Sequence, residues 1–82
     1  MNTINQKVTI TSLYFQNKKQ LREYPRRMEW AGESYTFDSG LACDVQRGSS
    51  IFRIYQMTDG RKDFRLRFDA IEGSWTLLGM SC

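Results

Sequence analysis

An all-β fold is predicted for this 82-residue chain by three features of its sequence. Short runs of alternating apolar and polar residues recur along it, which is the pattern of a half-buried strand. Gly32, Gly40, Gly48, Gly60 and Gly73 punctuate those runs at near-regular intervals, each beside Ser, Asp, Ala or Arg. No helix-period stretch exceeds about two turns. The expected architecture is a single small antiparallel meander of about six to eight short strands spanning residues 1–82. It is expected to be closed or nearly closed into a barrel, which would remove sticky sheet edges. A strongly curved open sheet is the alternative.

Residues 1–6 are polar and read as a flexible N-terminal tail. The first strand, Lys7–Phe15, switches phase: Val8 and Ile10 share one parity, Leu13 and Phe15 the other. A bulge near Thr11–Ser12, or a bend, reconciles the two halves. Gln16–Lys19 is turn material. Gln20–Tyr24 reads as either a strand or one helical turn, and Pro25 then stops a helix and disfavours a central-strand position. Arg26–Trp30 and Glu33–Phe37 flank the turn Ala31-Gly32, placing Met28, Trp30, Tyr35 and Phe37 on one face. Asp38-Ser39-Gly40 is read as the next loop. It leads into Leu41–Gln46, whose Leu41, Cys43 and Val45 are assigned inward. Arg47–Ser50 turns the chain again.

The stretch Ile51–Phe68 is the clearest hairpin, two β-rich runs around Thr58-Asp59-Gly60. A three-residue loop with Gly60 at positive φ is expected. It would set Tyr55 opposite Asp63 and Arg53 opposite Arg65, and would turn Phe52 and Ile54 inward with Phe64, Leu66 and Phe68. A two-residue turn would instead bury the Arg53 guanidinium at a cost of several kcal/mol, which decides for the longer loop. After Phe68, Ala70–Gly73 closes a last hairpin that aligns Trp75 and Leu77 with Phe68 and Leu66.

Chemistry-bearing motifs are scarce. The chain has no histidine, the commonest general base and neutral metal ligand. Cys43 and Cys82 cannot make a four-thiolate metal site, and are read as reduced thiols of a cytoplasmic protein rather than a bridge. Asp59 with Asp63, and Asp69 with Glu72, are near pairs, but they sit at turns that lack the burial needed to move a pKa toward neutrality. The expectation is a non-enzyme with no cofactor, no metal and no membrane anchor.

What the registers above do create is an outward face carrying Ile51, Arg53, Tyr55, Met57, Arg65, Arg67, Leu78 and Met80. Arg, Tyr and Met are enriched in protein interfaces, and contiguous exposed apolar side chains mark partner sites. A protein partner, or self-association as a homodimer, is therefore expected on this face. The alternative is binding of nucleic acid or another polyanion. It would use the arginines of that face or the earlier cluster Lys18, Lys19, Arg22, Arg26 and Arg27, which up to that point is opposed by Glu23 alone. A net charge of +3 and the interleaved Asp44 and Asp63 argue against it.

Overall fold

A computed structural model describes residues 2–15 and 23–81. Among them, seven antiparallel strands form one sheet: β1 (Asn2–Phe15), β2 (Glu23–Trp30), β3 (Glu33–Thr36), β4 (Ser39–Arg47), β5 (Ser50–Thr58), β6 (Asp63–Asp69) and β7 (Ser74–Ser81). Their order across the sheet is β3-β2-β1-β7-β6-β5-β4. The strands thus follow chain order around a ring that lacks one junction, since nothing pairs β3 with β4. At that seam Phe37 donates its amide to the Arg26 carbonyl at 2.8 Å, and Asp38 donates to the Thr58 carbonyl at 2.8 Å. The fold is all-β as expected, but its sheet is not closed by hydrogen bonds. It fits the open curved sheet.

β1 runs the length of the molecule because it serves two neighbours. Its first half pairs with β7 and its second with β2. The change of partner coincides with register shifts between Ile10 and Leu13, the bulge that the phase switch in the sequence required. A second irregularity between Thr3 and Gln6 places Asn5 at φ 54°, a conformation asparagine tolerates better than most residues. Residues 2–6, expected as a tail, are therefore strand, with Asn2, Thr3 and Gln6 paired to Met80, Gly79 and Leu77. Of the uncertain stretch Gln20–Tyr24, Glu23 and Tyr24 begin β2, and the remainder lies outside the described residues. Pro25 is buried in β2 opposite Leu13 of β1, beside the register shift between Ser12 and Leu13, the kind of irregular position that a strand proline takes.

The β2–β3 hairpin turns on Ala31 and Gly32 at φ 54° and 77°, the double left-handed pair of a type I′ turn. It folds over the concave side of β5–β7. Met28 and Phe37 are fully buried, Phe64 meets Phe37 and Tyr35 with ring centroids 5.1 and 5.3 Å apart, and Tyr24 meets Tyr55 edge-on at 5.5 Å. Leu66, Leu77 and Met57 complete the core. Such aromatic pairs contribute about 0.5–1.5 kcal/mol each beyond the area they bury.

Past Leu66 a register shift sets Arg65 against Gly79 and Asp63 against Ser81 instead of Leu78 and Met80, whereas the register of β4 on β5 (Asp44 with Arg53, Ala42 with Tyr55) and that of β6 on β7 from Phe68 with Trp75 to Leu66 with Leu77 are those expected. The hairpin between them is not. Thr58 pairs with Asp63, so the loop has four residues, Asp59 to Lys62, and Tyr55 lies opposite Leu66 and Arg53 opposite Phe68. Side chains dictate this longer loop. Asp59 Oδ1 accepts the amides of Arg61 (2.9 Å) and Lys62 (2.7 Å), while the Thr58 hydroxyl donates to the Lys62 carbonyl and accepts from the Gly60 amide. One extra residue reverses every side chain of β5, and of β4 with it, relative to β6. Tyr55 and Met57 accordingly face inward and are 2% exposed, whereas Leu41, Cys43 and Val45 face outward. Gly40, expected in a loop, lies within β4. A Cβ there would collide with the Met57 sulfur and the Gln56 carbonyl oxygen, so the close approach of β5 is what calls for glycine.

Candidate apolar face of the sheet

The reversal sorts the eight predicted partner-binding residues onto two sides of the sheet. Arg65, Arg67 and Leu78 remain outward. Ile51, Arg53, Tyr55 and Met57 belong to the inward face of β5, and Met80 joins them. The register shift between Arg65 and Leu66 makes Leu78 the extra residue of β7 and sets Met80 against Phe64. Tyr55 and Met57 are core and offer nothing to a partner. Ile51 and Arg53 sit at the lip of the inward face, where Arg53 Nε donates to Asp44 Oδ1 at 2.8 Å. That bond, helped by one to Tyr55 and opposed by partial burial, holds the guanidinium more firmly protonated than usual. Arg53 and Arg65 are not opposed like charges. Arg65 lies across from Gln56 and donates to its Oε1 at 3.0 Å.

What the outer face holds instead is an open trough of about 680 Å³. Its floor is Val45, Phe52, Ile54 and Leu78, with Cys43 beside them, and its rim is Arg47, Arg65, Arg67 and Gln56. Arg67 lies over the Phe52 ring, its Cζ 5.2 Å from the centroid, and its Nε is enclosed without a hydrogen-bond partner. Among the described residues no carboxylate lines the trough, and the outward acids of β6, Asp63 and Asp69, flank it at the strand ends. Asp69 is occupied with its own turn, accepting the amides of Ile71 and Glu72. Leu41 continues the apolar surface toward the other end of β4 and is 76% exposed.

Sequence reasoning missed Leu41, Val45, Phe52 and Ile54 as surface residues. β5 is apolar at both parities, so alternation alone could not say which set faces in. The signal that could have found them was Asp59, a residue that caps turns by bonding amides two and three residues on. The same bonds hold its carboxyl below the usual range, chiefly through the Lys62 amide.

Of the second cluster, Lys18, Lys19 and Arg22 lie outside the described residues. Arg26 and Arg27 are exposed on β2, and Arg26 is drawn over the Tyr14 ring at 5.7 Å. Among the described residues no group of three His, Cys, Asp or Glu side chains is placed to hold a metal ion, and no helix is long and apolar enough to cross a membrane. Comparison with protein-family models, curated proteins and solved structures finds no match to this chain.

Proposed function

We propose that the protein is a non-catalytic binding module that takes a protein partner on the outer face of β4–β7. One observation carries this reading: the sheet is apolar on both sides, while the β2–β3 hairpin covers only the inner one. Antiparallel sheets with one solvated face ordinarily alternate apolar-in and polar-out. Phe52, Ile54, Val45 and Leu78 break that rule together, in one patch, which is how interaction sites are marked on small proteins. The arginine rim selects a partner whose apolar contact residues are flanked by carboxylates. Against catalysis stand the absence of histidine and an Asp59 carboxyl held in its ionised form, the wrong state for a general acid near neutral pH. The cytoplasm suits the exposed Cys43 thiol, which a reducing compartment preserves.

Polyanion binding is the second reading, favoured by one feature, three arginines on the rim of a trough that no carboxylate of the described residues lines. Salt separates the two. Phosphate contacts lose several orders of magnitude in affinity between about 50 and 200 mM salt, whereas an apolar contact changes little. The test is affinity capture of partners by the full chain at both salt concentrations, with Ile54→Asp and Ile51→Asp compared, and with mixed oligonucleotides as a parallel ligand. A salt-tolerant protein partner lost from Ile54→Asp but kept by Ile51→Asp supports the first reading. Oligonucleotide retention that collapses with salt replaces it with the second. Equal capture by both variants removes the outer face from consideration.

A further inference from the structure

A different part of the molecule, the edge of β4 that no described strand pairs with, carries a separate inference. β3, the sheet's other edge, is protected by brevity at four residues. β4 is nine residues long, contains no proline or lysine, and holds an unbroken register with β5 from Ser39 to Arg47. Short strands, prolines, lysines, bulges and inward-pointing charges are the usual means of keeping an edge from pairing with another chain; of these β4 carries only the inward-facing Asp44, whose charge is engaged by Arg53 at 2.8 Å. Its turn also fixes which groups look outward. Gly48-Ser49 is a two-residue loop with Gly48 at φ 59°, so Arg47 and Ser50 form the hydrogen-bonded pair at the turn. By alternation Val45, Cys43 and Leu41 also bond toward β5, and Ala42 and Gln46 present their main-chain groups to the open edge.

We propose that this edge is occupied by β4 of a second copy of the chain, antiparallel, about a twofold axis at Cys43. The strand is self-complementary in that register. Leu41 meets the Val45 position of the other copy, Ala42 meets Asp44, and Ser39 meets Arg47, so apolar faces apolar and no like charges oppose. The neighbouring symmetric register centred on Asp44 would set two carboxylates against each other, and one centred on Ala42 would oppose Leu41 to Cys43 and shorten the overlap. Pairing over the full strand forms about eight main-chain hydrogen bonds. It also covers Leu41, the most exposed apolar residue of β4. Because the axis stands perpendicular to the sheet, the outer faces of both copies come to lie on the same side, doubling the apolar surface without occupying either trough.

Sedimentation of the full chain, together with cross-linking by a short bismaleimide in a Cys82→Ser background, tests this. The expected result is a dimer that links rapidly through Cys43 and that becomes monomeric in Leu41→Lys, an exposed position that leaves the core intact. Register is read with Cys43→Ser added. A Leu41→Cys chain mixed with a Val45→Cys chain links at least tenfold faster than either alone. A monomer at millimolar concentration overturns the proposal, as does a dimer that survives Leu41→Lys or fails to link through Cys43. A dimer broken by Ile54→Asp but not by Leu41→Lys would place the contact on the outer face and overturn the edge proposal while leaving the face reading standing.

Discussion

The two faces of β5 are nearly equal in apolar content and opposite in circumstance. On one side Tyr55 and Met57 are sealed beneath the β2–β3 hairpin against Phe64, Leu66 and Leu77. On the other, Phe52 and Ile54 lie half-buried beside arginines, with no layer of the described residues above them. Hydrophobicity did not choose between them. The choice was made at the end of the strand, where Asp59 and Thr58 gather four amide and carbonyl groups and fix a loop of even length. A turn therefore decided which residues became core and which became surface.

Truncation on the two sides is the strongest way to break this contrast. Phe64→Ala opens a void at the point where Phe37 and Tyr35 converge, and should cost about 3–5 kcal/mol in urea unfolding. Ile54→Ala, on the uncovered side, should cost about 1 kcal/mol or less in the same assay. Comparable losses would mean that both faces are buried in solution.

Much of the fold was legible because short turns leave little freedom. Ala31-Gly32 and Gly48-Ser49 each admit one register, and the pairs they imply, Met28 with Tyr35 and Asp44 with Arg53, are present. The bulge in β1 was equally readable, since Val8 and Leu13 cannot share a face without it. The β5–β6 loop was not, because three, two or four residues all satisfy its composition and only side-chain bonds to the backbone discriminate. The penalty assigned to burying Arg53 also misled. Arg53 lies on the inward side, but at its lip, with Asp44 as partner and a side chain that remains 34% exposed. The candidate site was half legible for the same reason. Arg67 depends on the part of the β6–β7 hairpin whose register was read correctly, Met80 on the shift between Arg65 and Leu66 that alternation does not reveal, and the residues of β5 on the loop, which was misread.

The loop's own role sharpens the comparison at a smaller scale. Asp59→Ala removes two charge-assisted bonds and should cost about 1–2 kcal/mol. The effect has a pH signature. The folded-state pKa of Asp59 lies below its unfolded value of about 3.9. Its contribution is therefore complete above that value and is lost as pH falls through the folded pKa. Asp59→Asn keeps an oxygen in place but does not titrate, so its urea midpoint should fall less between pH 6 and about pH 2 than that of the unsubstituted chain. Parallel pH curves for the two proteins would deny Asp59 its part in setting the loop.

The smallest effect discriminates the two registers most directly. In the structure Arg53 and Arg65 project from opposite sides of the sheet, Arg53 to Asp44 and Arg65 to Gln56. Their alanine substitutions should then add within about 0.3–0.5 kcal/mol, as independent sites do. With a three-residue loop they would stand side by side as opposed cations, and removing one would relieve the other, giving a coupling of opposite sign to that of an ion pair. Arg53 and Asp44 should couple instead, by about 0.2–1 kcal/mol, because the pair is half-exposed and screened. That coupling should shrink at high salt while the Arg53–Arg65 term stays near zero. A double-mutant cycle over these three residues thus reports the parity of β5 through charge alone, without touching the core whose burial it explains.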